Sequence, residues 1–444
     1  MATLAPSRRS SAVPSFYVME VMRAAAALES EGRDVLHLEV GQPSTGAPAG
    51  ALAAASAALA RSAAGADALG YTSEAGVPPL RAAVAAMYAR RHAVAVPQER
   101  CVARMCAASA RRSRQRDRRC FITTGSSAGF VLTFLAAFDA GDRVALASPG
   151  YPCYSNTLEA LGVVPVHIAV DASSNFQPTP AMLDAAVAAG GPLRGLIVAS
   201  PGNPCGTMLT PAELFALREW CRANGCWLVS DEIYHGLVYG DVRDATALEP
   251  SSRADAAVAA AALTRRPESV SAEADIVIVI NSLSKWHSMT GWRIGWCVVP
   301  PALLQPVSAL AQNLYISPPT VSQHAAAAAL GVDCEAELAG HLRRYAANRA
   351  LLLRELPRAG FTSLAPSHGA FYLYANVAHL TSDSRVLAAR ILRATGVALT
   401  PGVDFDRARG ATTLRFSYCG SEATIAEAAR RLVEDQSWRE DEAK

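Results

Sequence analysis

Residues 276–280 are five β-branched residues in succession (IVIVI, following Asp275). Stiff β-branched side chains lose freedom in a helix and pack well on a pleated surface. A run with no polar alternation suits a strand buried on both faces, which places it inside a sheet covered by helices on each side. Around it, short apolar runs at 142–147, 163–170, 193–200, 226–232 and 294–299 alternate with helical patterns. One helix pattern begins near Tyr154. Another opens at Thr210-Pro211-Ala212-Glu213, a capping residue, a first-turn proline and an acid, and stops at Asn224-Gly225. This order predicts an α/β fold with a mostly parallel sheet sandwiched by helices.

Past Pro318 the pattern changes to a long helical region over 320–356, short strands around 371–374 and 413–417, and a closing helix. A chain of 444 residues exceeds one compact core. The expected division is a large unit over 46–316 and a smaller α+β unit built from 1–45 and 317–444, an N-terminal arm plus the C-terminal part. Two stretches read as insertions: 101–120, arginine-dense without apolar periodicity, and 251–274, rich in Ala and Ser.

A formal net charge of +2 gives no electrostatic case for a nucleic-acid or membrane partner, and no apolar run approaches the length of a membrane span. The ten cysteines are scattered, with neither a disulfide framework nor metal-ligand spacing, so no metal is expected. They suit a reducing compartment, and residues 1–11 lack an apolar signal core. A cytoplasmic location is the default, with an organellar address as the alternative.

Of 41 basic residues only Lys285 and Lys444 are lysine. Arginine cannot stand in where a neutral amine must act as a nucleophile, because its guanidinium stays protonated. Lys285 lies in Ser282-Leu283-Ser284-Lys285, directly after the β-branched run, and Gly291-Trp292-Arg293 follows. The carboxyl end of a sheet strand is where α/β proteins collect ligands. Hydroxyls and a planar cation nearby suit a phosphate. Asp231 and Tyr234 end another strand, where a carboxylate can pair with a cationic ligand nitrogen or cap a helix, and a phenol can hydrogen-bond a ligand oxygen or simply line the core. Asn203 sits in a turn stiffened by Pro201, Gly202, Pro204 and Gly206. Gly125-Ser126-Ser127 opens an apolar helix, and backbone N–H groups there form an anion site. Arg415 lies in the apolar strand 413–417, a costly place for a charge unless a carboxylate pairs with it.

Together with Gly41-Gln42-Pro43, Gly70-Tyr71-Thr72, Pro149-Gly150-Tyr151-Pro152 and Asn203-Pro204-Cys205-Gly206, these motifs resemble the class I/II aminotransferases, fold-type I enzymes that use pyridoxal 5′-phosphate (PLP). The resemblance implies that Lys285 carries PLP as a Schiff base and shuttles the proton. It implies that Asp231 meets the pyridine nitrogen, Asn203 and Tyr234 the ring oxygen, and Tyr151 the ring face. Ser126, Ser127, Ser282 and Arg293 would hold the phosphate, and Tyr71 would reach the phosphate of a neighbouring subunit, which makes a homodimer the expected partner state. Arg415 would bind the substrate α-carboxylate with backbone support from Gly41. The implied reaction is ping-pong transfer of an amino group from an L-amino acid to a 2-oxo acid, with glutamate and 2-oxoglutarate as one pair. Residues 316–322 carry no arginine for a second substrate carboxylate, and Ser127 stands where some relatives have lysine. A lyase on the same cofactor and an inactive binding scaffold are the rival readings.

Overall fold

The computed structural model of the chain describes residues 4–96, 119–249 and 276–439. The expected insertions at 101–120 and 251–274 lie outside the described residues, except that Arg119 and Cys120 begin a strand. A short strand β1 (Leu36–His37) precedes a seven-stranded sheet made of β2 (Arg119–Thr123), β3 (Arg143–Ser148), β4 (Val164–Ala169), β5 (Gly195–Ala199), β6 (Trp227–Asp231), β7 (Val277–Ser282) and β8 (Gly295–Val299). Their order across the sheet is β2-β8-β7-β6-β5-β3-β4. Pairings from β4 through β7 are parallel, and β8 runs against both its neighbours.

The period-two geometry of strands divides the interior into two layers. Val277 and Val279 join Leu196, Val198, Leu228 and Trp296 on one face. Ile278 and Ile280 join Ile197, Val229, Cys297 and the phenylalanines 130 and 134 on the other. Every residue of β7 is buried, so the β-branched run is a doubly covered strand, as its composition predicted. The helix Pro211–Ala223 carries the expected capping box, with Thr210 and Glu213 exchanging side-chain and backbone hydrogen bonds.

The second core is built on a four-stranded antiparallel sheet, β12-β13-β10-β9, from β9 (Ser363–Leu364), β10 (Tyr372–Asn376), β12 (Thr400–Pro401) and β13 (Thr413–Ser417). β1 pairs in parallel with β11 (Val397–Ala398) and so brings the N-terminal arm into this part. The backbone N–H groups of Tyr17 and Val18 donate to the Asp404 carboxylate at 2.6 and 2.8 Å, fixing the start of the helix Tyr17–Ser30.

The long helical region expected over 320–356 is two helices, Thr320–Ala329 and Glu335–Glu355. Gly331 is extended and a 3-10 turn (Val332–Cys334) redirects the chain. Ala325, Ala326 and Ala329 of the first helix pack into the core of the large sheet, beyond the boundary at 316 drawn from sequence. Small residues allow that close approach, and nothing in their helical period distinguishes the core they enter.

Candidate active site

Five of the segments singled out in the sequence emerge at the carboxyl ends of β2, β3, β5, β6 and β7, which point the same way. Strand direction alone therefore gathers the Gly125 turn, the Pro149–Tyr151 turn, the Asn203 turn, Asp231 and Lys285 along one edge.

The Lys285 amine donates to the carbonyl oxygen of Gly41, which crosses from the N-terminal arm. It lies 5.9 Å from the ring centre of Tyr234 and 5.7 Å from that of Phe371. Burial, reinforced by the positive charges of Arg415 and Arg293 and opposed by Cys419 and Asp231, lowers its pKa to about 8. A substantial neutral fraction near physiological pH is what a nucleophilic or proton-accepting lysine requires.

Asp231 ends β6 and is buried. The Tyr154 hydroxyl donates to its Oδ2 and the Ile233 N–H to its Oδ1, at 3.1 Å for the latter. Desolvation outweighs both bonds and raises the carboxyl pKa to about 6. A cationic ring nitrogen facing this group would reverse that shift. Tyr151 lies edge-on to Tyr154, with ring centres 5.4 Å apart, and its own phenol pKa is raised by burial.

Gly125 has φ +74°, a left-handed turn that suits glycine, and begins the helix Gly125–Ala137. No side chain caps that helix, so its first N–H groups point outward beside the Ser126 and Ser127 side chains. The Arg293 guanidinium lies directly over Gly125, where an added Cβ would come within 2.4 Å of Nη2. Ser282 behaves differently: its hydroxyl donates to the Ile294 carbonyl at 3.1 Å and pairs with Ser284 at 2.8 Å.

Arg415 is buried on β13. Its Nη1 donates to Asn203 Oδ1 at 2.9 Å, and its Nη2 to the Glu39 carbonyl and to Thr400 Oγ1. Because the Asn203 oxygen is engaged, its amide nitrogen is left to donate to a ligand. Tyr234 is buried with its hydroxyl 2.8 Å from that of Tyr372.

Tyr71 stands apart from this cluster on its own chain. It is 84% exposed, in a segment held to the 317–320 turn by Thr72 N–H to Ser317 and by Thr320 to the Gly70 carbonyl.

Sequence reasoning missed Tyr154, Tyr372 and Gly295. Tyr372 had half a signal: strand alternation puts it on the face of Tyr374, but that this face meets Arg415 follows only from the register of β10 with β13. Gly295 had none, since its neighbours come from two distant turns.

Among the described residues no group of three or more His, Cys, Asp or Glu side chains could hold a metal ion, and no helix is long and apolar enough to cross a membrane. An uncapped helix start with a guanidinium, a lysine of lowered pKa and a buried carboxylate are groups that could hold an organic phosphate bearing a reactive carbonyl and a basic ring nitrogen.

The chain is similar to known proteins along nearly its whole length. The family profile described as aminotransferase class I and II matches residues 33–432. A valine–pyruvate aminotransferase of Mycobacterium tuberculosis is 45% identical over 421 residues, 95% of this chain and 96% of that one. An aspartate aminotransferase of Geobacillus stearothermophilus is 28% identical, covering 93% and 94%. The crystal structure of an aminotransferase from Mycobacterium tuberculosis superposes with a TM-score of 0.83 at 44% identity, covering 98% of this chain and 99% of the other.

Proposed function

The chain belongs to the class I and II aminotransferases, and from that premise we propose that it moves the amino group of an apolar L-amino acid to a 2-oxo acid, with alanine and pyruvate as one pair. The observation that carries the chemical part is the lysine of lowered pKa, Lys285, at the strand ends beside the buried carboxylate of Asp231.

In this reading PLP is held by Lys285 through its aldehyde, by Asp231 at the ring nitrogen, by Asn203 and Tyr234 at the ring oxygen, and by Tyr151 at the ring face. The turn at Gly125 with Ser126, Ser127 and Arg293 takes the phosphate, and Ser282 stiffens the loop beneath it through its bonds to Ile294 and Ser284. When bound, PLP supplies a carbonyl that takes up the amino group and a pyridinium that withdraws electrons from the substrate's α-carbon. With the cofactor and an amino acid bound, the free Lys285 amine would be the base that accepts the α-proton at Nζ. The Gly41 carbonyl offers its ammonium form a resting partner. Arg415 orients the substrate carboxylate with its fork, braced by Asn203, Glu39 and Thr400. Tyr71, projecting into solvent, would complete the phosphate site of a second copy in a homodimer.

The substrate choice rests on two supports. Residues 316–322 offer no second guanidinium for a dicarboxylic substrate, and a 45% identical relative is named for valine and pyruvate. The glutamate and 2-oxoglutarate pair expected from sequence is a second reading; an aspartate aminotransferase, named for another dicarboxylic amino acid, is 28% identical.

The test is to load the purified protein with PLP and record absorbance after adding alanine, valine or glutamate in turn. Conversion to the pyridoxamine form by alanine and valine, reversed by pyruvate, is the expected result. Conversion by glutamate alone would replace the substrate assignment. Release of ammonia without conversion to the pyridoxamine form and without need of an acceptor oxo acid would favour the lyase. Borohydride reduction should place the label on Lys285.

A further inference from the structure

Three residues assigned to the site meet at one that was not, and a fourth, Lys285, joins through one of them. Tyr372, in β10, is 1% exposed. Its hydroxyl is 2.8 Å from that of Tyr234. The Arg415 guanidinium lies over its ring, 4.4 Å from the centre. Its oxygen presses so closely on Gly41 that a Cβ there would sit 1.8 Å from it. Gly41 in turn offers its carbonyl to Lys285.

Proton counting gives this arrangement a direction. Among the described residues the two phenols hydrogen-bond only to each other. Two O–H groups and one bond leave one proton without an acceptor. If an acceptor approaches Tyr234, the Tyr234 proton turns towards it, and Tyr372 donates to the Tyr234 oxygen. A hydroxyl that accepts a hydrogen bond is a stronger donor, by some tens of per cent at most.

We propose that Tyr372 is a positioning residue of the aminotransferase site. Its hydroxyl donates to Tyr234 and strengthens the bond from Tyr234 to the PLP ring oxygen, while its ring face seats Arg415. The inference rests on the cofactor placement proposed above. Both functions sit on one side chain, so they separate by substitution. Tyr372→Phe removes the hydroxyl and keeps the ring; Tyr372→Leu removes both.

The ring oxygen gains negative charge when the nitrogen attached to Lys285 loses its proton. A donor to that oxygen favours the deprotonated form and lowers the midpoint of the absorbance change with pH. In the PLP-loaded protein, Tyr372→Phe should raise that midpoint by about half a pH unit. Tyr234→Phe should raise it further, and the double variant should match Tyr234→Phe, because Tyr372 acts through Tyr234. KM for the amino acid should stay near wild type in Tyr372→Phe and rise at least about tenfold in Tyr372→Leu, where Arg415 loses its support. An unshifted Tyr372→Phe midpoint, or shifts that add in the double variant, overturns the hydroxyl chain alone. A wild-type protein with no pH-dependent absorbance in the presence of PLP overturns the cofactor reading and this inference with it.

Discussion

The carboxamide of Asn203 and the guanidinium of Arg415 meet at 2.9 Å across 212 residues of chain, joining the turn after β5 to the antiparallel sheet of the smaller core. The contact uses the amide oxygen and one arm of the guanidinium. It leaves an amide N–H for a ring oxygen on one side and, beyond the bonds to Asn203, Glu39 and Thr400, the charge and remaining N–H groups of the guanidinium for a carboxylate on the other.

Arg415→Ala removes the only guanidinium assigned to the substrate carboxylate. A lost charge-assisted pair costs about 3 kcal/mol, so KM for the amino acid should rise roughly a hundredfold while PLP content stays stoichiometric. Arg415→Lys should also be impaired, because a point charge cannot serve Asn203 and a carboxylate in one plane. Steady-state kinetics with an absorbance measure of bound PLP decides it, and an unchanged KM would refute the role.

The lowered pKa of Lys285 predicts how the apoprotein takes up its cofactor. Only the neutral amine attacks an aldehyde, and burial with Arg415 and Arg293 nearby disfavours the ammonium. The second-order rate of PLP uptake should therefore rise with pH and level off above about 8, whereas an ordinary lysine would go on rising to about 10.5. Lys285→Arg keeps bulk and charge but has no nucleophile. It should show no uptake into a borohydride-stable adduct and no turnover. A rate that climbs steadily to pH 10 would contradict the burial argument.

How much of this was legible depends on where each residue's reason lies. Lys285, Asp231 and Arg415 stand out because a charged group at a strand end or in an apolar strand needs an explanation within its own few residues. The run at 276–280 likewise states its environment in its side chains. Tyr372 depends on register, which lies in the pairing of β10 with β13. The reversal of β8 was hidden because residues 294–299 read as the same apolar strand in either direction. The break at Gly331 was hidden because alanine-rich helices on both sides share one period.

Asp231 yields a prediction whose sign runs against simple loss of a site residue. Its folded pKa of about 6 lies above the ordinary 3.8, so the folded apoprotein prefers the neutral acid. That preference adds stability below pH 3.8 and is lost as pH rises through 6. Above pH 6 the buried charge costs up to about 3 kcal/mol. Asp231→Asn avoids this cost, so at pH 8 the apo variant should melt roughly 3 °C higher than wild type, with the gap closing by pH 4. With PLP the order should reverse, because the amide cannot neutralise the ring nitrogen. Melting curves at both pH values, with and without PLP, are the check. A variant that melts lower than apo wild type at pH 8 would contradict the desolvation cost.

Gly295 supplies the sharpest test of the phosphate cradle, because its constraint is backbone against backbone. It pairs with Ser282 in the register of β7 and β8. A Cβ there would lie 2.7 Å from the Asn281 carbonyl oxygen, 2.8 Å from Gly125 C and 2.8 Å from Ser126 N. None of these atoms can rotate away, so Gly295→Ala must push the 125–126 turn off the sheet. Overpacking of this kind costs about 1–3 kcal/mol, and here it falls on the N–H groups assigned to the phosphate. PLP affinity should drop at least about tenfold, while borohydride at saturating PLP should still label Lys285. Gly291→Ala, four residues earlier, meets nothing within 4 Å and should bind PLP as wild type does. Equal affinities for the two variants would mean that the 125–126 turn is not where the phosphate sits. Separation of the two would tie the phosphate to that turn without altering a single charged or hydroxyl-bearing side chain.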